Sequence, residues 1–276
     1  MGRLPDSRPG GHQDRAKETM LITLLGFIAG TLIGLTGTGG GVMLTPLLLL
    51  FTAYPVVVVI GTDIVNGAVT KLLGVIEHRR LGQVHWRLAG YLISGSIPGT
   101  LGGIWFVSYL KSHLETSQLD HILKTILAVT LFGVAVALPF VRNGYIKRRS
   151  GSLDIRTKWE IARLIAAGAT VGFLVALTSI GSGSLLMVFL LLLVPLPLGA
   201  LVGTDIMFGL VTMALAGTFH VWMGHFNGGL FLRLAAGALP GVVLGSRLTR
   251  LIPERYFSWL YSVLYISLGA RLLIAG

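Results

Sequence analysis

Long apolar stretches separated by short polar ones follow each other along almost the whole chain. They lie at 19–36, 42–60, 88–110, 121–141, 160–180, 184–202, 206–222, 229–246 and 256–275. About twenty apolar residues form a helix long enough to cross the hydrocarbon core of a bilayer. The short strands of alternating polarity that a transmembrane β-barrel needs are absent from this sequence. The pattern therefore predicts an all-α polytopic protein of the cell inner (plasma) membrane.

The second half of the chain repeats the first. When the sequence is shifted by 142 residues, Gly30–Gly103 aligns with Gly172–Gly245 without a gap, and 27 of the 74 positions are identical. The matches include the polar "GTDI" at 61–64 and 203–206, which apolar composition alone would not bring into register. We predict two homologous repeats of about five helical segments each, 8–10 helices in all. Such two-repeat architectures are typical of secondary transporters.

Polar segments set the boundaries of the two repeats. Residues 1–18 are rich in Pro, Gly and Arg, which favours a disordered basic tail. The longest polar stretch after that tail separates the halves and predicts a cytoplasmic linker at 142–159. Transmembrane repeat 1 then covers 19–141, and transmembrane repeat 2 covers 160–276. Met20 is an alternative start of the native chain.

Charge adds a prediction about orientation. The net charge of +11 is concentrated in loops, at 77–87, 141–160 and 247–255, whereas 220–229 contains no Lys or Arg. Lys and Arg are retained on the cytoplasmic side of membranes. All three basic segments lie there if each repeat crosses the membrane an odd number of times, which predicts inverted repeats. A parallel arrangement with an even number of crossings is the alternative, and it would suit the basic tail.

Composition also excludes several function classes. The chain has no cysteine, so disulfides, thiolate metal sites and cysteine nucleophiles are excluded. Only 12% of the residues are charged, and no soluble basic surface is large enough to bind nucleic acid. A serine hydrolase would need Ser182 or Ser184 activated by His220, but the G-x-S-x-G elbow is missing. We therefore predict that the protein is not an enzyme.

A glycine motif interrupts the apolar pattern in each half. It reads "GTGGG" at 37–41 and "SIGSG" at 179–183, and neither copy has the Lys and Ser/Thr of a phosphate-binding loop. Glycine costs about 1 kcal/mol in a helix interior, so the motif predicts broken short helices. A helix that begins at such a break directs free N–H groups and its positive dipole end at an anion. The alternative is close helix packing, which Gly26, Gly30 and Gly34 also fit.

A polar stripe follows each glycine motif at helical spacing. The first copy is Asp63, Gly67, Thr70, Gly74 and His78, and the second is Asp205, Gly209, Thr212, Ala216 and His220. Asn66 and Lys71 border the first copy, and Met213 replaces Lys71 in the second. Ionisable residues at membrane depth usually face a cavity or each other, so one hypothesis pairs Lys71 with Asp205 across the repeats. The alternative makes both aspartates helix N-caps at the membrane surface, and both histidines are interpreted as interfacial.

The chain resembles a known family of membrane proteins. The resemblance rests on "GFIAGTLIGLTGTGGGVMLTPLLL", "IGTDIVNGAVTKLLGVIEHRRLGQVHWRL" and "LPGVVLGSRLTRLIPE", and it runs from about Thr19 to the C-terminus. It identifies the sulfite exporter TauE/SafE family, also described as the toluene-sulfonate uptake permease group. The resemblance implies a duplicated membrane unit that moves sulfite, sulfonates or related anions, with an anion site at Gly37–Gly41 and Gly181–Gly183. Many members carry Ser where Asp63 and Asp205 stand here.

These observations combine into one functional prediction. We expect a secondary transporter, exporter or permease, for a small sulfur-containing oxyanion such as sulfite or an organosulfonate, coupled to protons. Asp63 and Asp205 are the predicted coupling groups. The predicted substrate-binding residues are Thr38, Gly39, Gly40, Gly41, Gly181, Ser182, Gly183, Ser184, Thr62, Thr204, Asn66 and Lys71.

The predicted partners are the anion and the lipid bilayer, with a homodimer as one option and with no cofactor, resident metal or nucleic acid. A passive anion channel and a non-transporting membrane interaction protein are the alternatives.

Overall fold

The computed structural model of the chain describes residues 11–36, 41–80, 82–142, 157–248 and 254–274. These residues form ten α-helices and no β-strand. The helices are α1 (Gly11–Thr36), α2 (Gly41–Phe51), α3 (Val56–Arg80), α4 (Trp86–His113), α5 (Thr116–Arg142), α6 (Lys158–Thr178), α7 (Leu185–Leu193), α8 (Leu198–Trp222), α9 (Gly228–Leu248) and α10 (Glu254–Ile274). The prediction of an all-α fold is confirmed.

Several helices have the length and surface of membrane-spanning segments. Within the described residues, five are long and apolar enough to cross a bilayer, namely α3, α5, α6, α8 and α9. Large apolar side chains also lie on the outside of the molecule, and Trp105, Val129 and Leu232 are each more than 60% exposed. So large an apolar surface is typical of contact with lipid. The chain is a multi-pass membrane protein.

The helices of the two halves correspond in order and in packing. The third helix of each half, α3 and α8, begins and ends at positions that differ by the 142 residues of the sequence shift. The first helix of each half packs against the fourth helix of the other half, α1 against α9 and α6 against α4. The remaining long helices pack against their own counterparts, α3 against α8 and α5 against α10. The two halves are therefore interleaved in a single bundle.

Contacts between α3 and α8 show their relative direction. Where α3 and α8 cross, Gly67 lies against Met213 and Gly74 lies against Ile206. Residue numbers rise along α3 as they fall along α8, so the two helices run antiparallel. Because α3 and α8 hold the same place in their halves, this pair of helices crosses the bundle in opposite directions. The inverted arrangement of the two repeats stays a prediction.

The first two helices form a hairpin. The Tyr54 hydroxyl, which follows α2, donates a hydrogen bond of 3.1 Å to Glu18 Oε1 near the start of α1. Arg233 Nη1 on α9 lies 3.6 Å from the same oxygen. Chain direction therefore reverses between α1 and α2, and α2 returns to the side on which α1 began. Residues 11–18 are helical, which differs from the disordered tail predicted there, whereas residues 1–10 and 143–156 lie outside the described residues.

Glycines allow the interleaved helices to approach closely. On α4, a Cβ added at Gly95 would overlap the carbonyl oxygen of Ile165 on α6. On α1, a Cβ at Gly30 would overlap the carbonyl oxygen of Ala238 on α9, and one at Gly26 would lie 2.6 Å from that of Leu234. Small residues at such contacts let helix backbones pack directly against each other in membranes. The packing interpretation thus applies to Gly26 and Gly30, but the surroundings of Gly34 are not described.

Candidate functional site

The second glycine motif forms a sharp break inside the bundle. Helix α6 ends at Thr178 and α7 begins at Leu185. Between them, Ser179 has a φ of 62° and Gly183 a φ of 95°, both in the left-handed region that L side chains rarely adopt. The side chains of Ser179, Ser182 and Ser184 are buried. The broken short helix predicted for the second repeat is therefore present, and its N-terminal end is enclosed by protein.

A carboxylate occupies the N-terminal end of α7. The backbone N–H of Gly183 donates a hydrogen bond of 2.9 Å to Asp205 Oδ1. The Ser182 hydroxyl lies 3.4 Å from the backbone carbonyl oxygen of Asp205, to which it donates. Helix N-termini stabilise negative charge through their free N–H groups and their dipole. The position predicted to bind an anion thus holds the protein's own carboxylate.

Lys71 reaches the same place from α3. Its side chain is 4% exposed, and its Nζ has no hydrogen-bond partner among the described residues. At the α3–α8 crossing, a Cβ added at Gly209 would overlap Ser182 Oγ and would lie 2.6 Å from Lys71 Cε. Lys71 and Asp205 are close enough to interact electrostatically, although no hydrogen bond joins them. The structure therefore brings Lys71, Ser182, Gly183 and Asp205 into one cluster. The hypothesis from the sequence concerned Lys71 and Asp205 alone.

The position equivalent to Lys71 in the other half is occupied by an uncharged residue. Met213 takes the position of Lys71, and its Sδ would lie 2.6 Å from a Cβ added at Gly67. Gly67 is the counterpart of Gly209 in the sequence repeat. The α3–α8 crossing therefore carries a lysine over one glycine and a thioether over the other.

Asp63 has surroundings unlike those of Asp205. It is 1% exposed, and its Oδ2 accepts a hydrogen bond of 2.6 Å from the Thr45 hydroxyl of α2. Its Oδ1 has no partner of strict hydrogen-bond geometry within the described part of the chain, but the Ser179 hydroxyl lies close enough to hydrogen-bond this carboxyl. Both aspartates lie inside their helices, since α3 begins at Val56 and α8 at Leu198. The N-cap alternative is therefore wrong.

Other predicted ligands lie elsewhere or are already engaged. Thr62 Oγ1 accepts a hydrogen bond of 3.1 Å from the backbone N–H of Asn227, and Thr204 Oγ1 accepts one of 3.1 Å from that of His85. These hydroxyls anchor the loop of the opposite half. Asn66 is buried on α3. Thr38, Gly39 and Gly40 lie outside the described residues, and Gly41 is the first residue of α2.

A chain of basic side chains lies at the end of α8 and was not predicted. Lys111 Nζ lies 2.9 Å from His225 Nε2, and His225 Nδ1 lies 3.4 Å from His220 Nδ1. His220 Nε2 donates across 3.0 Å to the carbonyl oxygen of Ala176 on α6. Because that carbonyl can only accept, the proton of a neutral His220 lies on Nε2, and its Nδ1 accepts a hydrogen bond. The donor to His220 Nδ1 is then Nδ1 of a neutral His225. His225 Nε2 consequently accepts from the Lys111 ammonium group. Hydrogen bonding thus selects one tautomer for each ring.

Burial affects these histidines. His220 is 1% exposed, whereas His78 is half-buried and bonded to Gln83, and the interpretation of both as interfacial stays a prediction. Burial, together with the neighbouring His220 and Lys111, lowers the pKa of His225 to about 4. Neither ring nitrogen of His220 contacts a serine of the break, which removes the geometric basis for a serine hydrolase. Nothing in the sequence pattern links His225 to Lys111, because helix packing alone brings them together.

The described residues contain no cluster of three or more His, Cys, Asp or Glu side chains that could hold a metal ion. The buried titratable groups are instead the neighbouring Lys71 and Asp205, the separate Asp63, and the His220–His225 pair. This donor set suits ligands that bind through hydrogen bonds and charge.

Known proteins similar to this chain are membrane transporters. The "Probable membrane transporter protein YjnA" of Bacillus subtilis is 32% identical over 255 residues, covering 91% of this chain and 98% of the relative. The "Probable membrane transporter protein YunE" of the same organism is 26% identical over 268 residues, covering 93% and 98%. No solved structure matches the chain. The family model described as "Sulfite exporter TauE/SafE" matches residues 22–272, and the chain belongs to this family of membrane transporters.

Proposed function

We propose that the protein is a secondary transporter, exporter or permease, of the plasma membrane for a small sulfur-containing oxyanion such as sulfite or an organosulfonate, coupled to protons. The observation that carries this proposal is Lys71, a buried ammonium group without a hydrogen-bond partner among the described residues. A buried charge is costly unless another charge compensates it, and Asp205 is the charged neighbour of Lys71 among the described residues. A site with one lysine, free hydroxyls and a helix N-terminus suits an anion.

The oxyanion binds where the Asp205 carboxylate now lies. Gly183 N–H donates to one oxygen of the anion, as it now donates to Asp205 Oδ1. The Ser184 hydroxyl, which is buried and lacks a hydrogen-bond partner among the described residues, is available as a further donor. Lys71 supplies the positive charge. Charge-assisted hydrogen bonds of this kind are the strong ones in an interior that excludes water.

Competition between Asp205 and the substrate couples transport to protons. Two anions at one helix N-terminus repel each other, so the substrate is admitted when Asp205 takes up a proton and releases Gly183. The proton then travels with the anion. On the side where the anion leaves, the ionised carboxylate returns to Gly183 and Lys71.

Uptake by purified protein in liposomes tests this function. Sulfite, thiosulfate, organosulfonates, sulfate and small carboxylates are offered separately, with a pH gradient and without one. We expect accumulation of a sulfur oxyanion that stops when a protonophore collapses the gradient. Flux that never exceeds equilibration indicates a passive channel. No flux and no thermal stabilisation by any anion would favour a membrane interaction protein, because a ligand of the native state must stabilise it.

The Lys71→Met variant tests the site itself. Methionine fits this environment, since Met213 fills the corresponding place over Gly67. We expect a folded protein whose anion affinity, measured by thermal shift and by uptake, falls about tenfold or more, because loss of a buried charged partner costs about 2–5 kcal/mol. Met213→Leu is the matched control, since it preserves side-chain volume at the uncharged counterpart of Lys71. Equal affinity in the Lys71→Met and wild-type proteins would contradict the proposed site.

A further inference from the structure

Tryptophan side chains mark the two edges of the membrane on α4. Trp86 at the start of α4 is 55% exposed, and Trp105 near its end is 66% exposed. The two residues are 19 positions apart, which is about 28 Å along a helix and close to the thickness of the hydrocarbon core. Ile97 and Leu101, which lie between them, are apolar and exposed. Because tryptophan is enriched where the bilayer meets water, these two residues mark the two interfaces.

Helix α6 runs beside α4 in the same direction, so a depth on α4 can be transferred to α6. The register is given by three contacts, Leu92 with Gly168, Gly95 with Ile165, and Gly103 with Ala176. The partners differ by 76, 70 and 73 positions, which is 73 on average. Trp159, which is 75% exposed, follows Trp86 by the same 73 positions. The first turns of α4 and α6 therefore meet the membrane surface at one level.

Arg163 lies deeper than this interface, on the outside of α6. It follows Trp159 by about one helical turn, which places its Cα about 6 Å further into the hydrocarbon layer. The Arg163 side chain is exposed, and it forms no hydrogen bond or ion pair with any residue that the structure describes. A charged side chain that faces lipid is costly, so an arginine at this depth requires an anionic partner.

The direction of α6 brings this arginine to the phospholipid headgroups. Side chains of an α-helix tilt towards its N-terminus, and long basic side chains extend to the membrane surface while their apolar part stays in lipid. The guanidinium group of Arg163 can thus reach the level of Trp159, where the phosphate groups of phospholipids lie. Ala166 and Thr170, the next positions on the same face, are exposed and small. They leave room for an acyl chain beneath the headgroup.

The charges at this end of the bundle favour an anionic headgroup. The end of α3 and the starts of α4 and α6 contain five Lys or Arg residues but two Glu, within 77–87 and 158–163. Arg79 Cζ lies 5.9 Å from the centroid of the Trp86 ring, which joins the end of α3 to the same interface. Basic groups at a membrane surface attract anionic lipids. A headgroup without net charge gains little from this surplus.

We propose that Arg163, Trp159 and Lys158 bind the phosphate group of an anionic phospholipid at the start of α6. The planar guanidinium group of Arg163 donates two parallel hydrogen bonds to the phosphate. The indole N–H of Trp159 is a further donor at the interface, and Lys158 adds a second positive charge. This site lies on the outer surface of the bundle, so it is separate from the buried cluster of Lys71 and Asp205.

Thermal unfolding in the presence of lipid tests the site without any transported substrate. The full chain in detergent is heated with increasing amounts of phosphatidylglycerol, or of phosphatidylcholine, which has no net charge. We expect phosphatidylglycerol to raise the midpoint in a saturable manner, since a ligand that binds only the native state stabilises it. Equal midpoints with the two lipids at every concentration would overturn the lipid site. Because no flux is measured, that failure would leave the proposed transport function untouched.

Matched variants assign the lipid effect to Arg163. We expect Arg163→Gln to weaken phosphatidylglycerol binding about fivefold, which is the effect of one basic residue at an anionic membrane surface. Arg163→Lys should lose less, because lysine keeps the charge without the paired hydrogen bonds. Arg271→Gln is the control, since Arg271 is an exposed arginine of α10 and its loss should leave the response unchanged.

Three outcomes would contradict the assignment. The first is a full response to phosphatidylglycerol in Arg163→Gln, and the second is an equal loss of response in Arg271→Gln. The third is a rise of the midpoint with inorganic phosphate that Arg163→Gln abolishes, because it would identify a site for a free anion instead of a lipid.

Discussion

At the scale of single residues, positions that are equivalent in the sequence repeat have different surroundings in the bundle. Lys71 and Met213 occupy equivalent positions, as do Asp63 and Asp205, yet each member of a pair has different neighbours. A single lysine decides which aspartate is compensated. Among the described residues, this asymmetry places the buried lysine beside Asp205, whereas Asp63 is bonded to the Thr45 hydroxyl.

The histidine chain yields a residue-scale prediction about pH. The pKa of His225 is about 4 in the folded protein and near 6.5 when unfolded. Between these values the unfolded state binds more protons, so stability is fully present above pH 6.5 and is lost as the pH falls towards 4. We expect His225 to account for about 2–3 kcal/mol of this loss. Thermal unfolding midpoints from pH 4 to 8 measure it.

His225→Gln should flatten this profile, because glutamine does not titrate and stands at the equivalent position, Gln83, in the first half. His113→Gln is the control, since His113 is exposed and should leave the profile unchanged. If both variants retain the wild-type slope, His225 is not the group responsible.

Ionisable residues inside apolar segments were the best predicted part of the site. Lys71 and Asp205 could be paired from sequence because a buried charge has few tolerable partners. Ser179 and His225 could not be assigned, since ordinary serines and histidines give no signal until distant helices pack together. Thr62 and Thr204 were chosen for their hydroxyls, but a sequence cannot show that a loop of the other half bonds them.

At the scale of helices, two glycine-lined interfaces hold the halves together. In α4, a Cβ at Gly95 would overlap the Ile165 carbonyl oxygen, whereas one at Gly90 would meet nothing within 4 Å. The same helix thus offers a packed glycine and an unpacked one.

We expect Gly95→Ala to lower stability by about 1–3 kcal/mol, because backbone atoms of α6 cannot move away without shifting the helix. Gly90→Ala should be neutral or stabilising by up to about 1 kcal/mol, since alanine is the better helix former. Thermal unfolding in detergent compares the two. Equal midpoints would show that α4 and α6 are less closely packed than the structure indicates.

At the scale of the whole molecule, helix boundaries were predicted in part and contacts were not. Apolar length located α4 and α6 to within three residues, because it follows from local sequence. The runs at 42–60 and 184–202 each continue through a helix end, so the breaks after Phe51 and Leu193 were missed. Interleaving of the halves, with α1 on α9 and α4 on α6, depends on long-range packing that no local pattern encodes. The antiparallel α3–α8 crossing agrees with the odd number of crossings inferred from loop charges.

Orientation can be tested with one cysteine at a time, because the native chain has none. Arg80 and Trp222 are equivalent positions at the ends of α3 and α8, and both are exposed. We expect a membrane-impermeant maleimide to label Trp222→Cys in intact cells and Arg80→Cys only after permeabilisation, since Arg79, Arg80 and Arg87 favour the cytoplasmic side. Labelling of both from the same side would contradict opposite orientations of the halves.

Lys71 and Met213 at the α3–α8 crossing bear on the number of anions that one chain can bind. A duplicated chain with two equal half-sites would be expected to take up two substrate ions. Here only one half provides an ammonium group, over Gly209, while Met213 fills the matching space over Gly67. Titration calorimetry should therefore give a stoichiometry of one anion per polypeptide, because the second half-site lacks the positive charge that the proposed site requires.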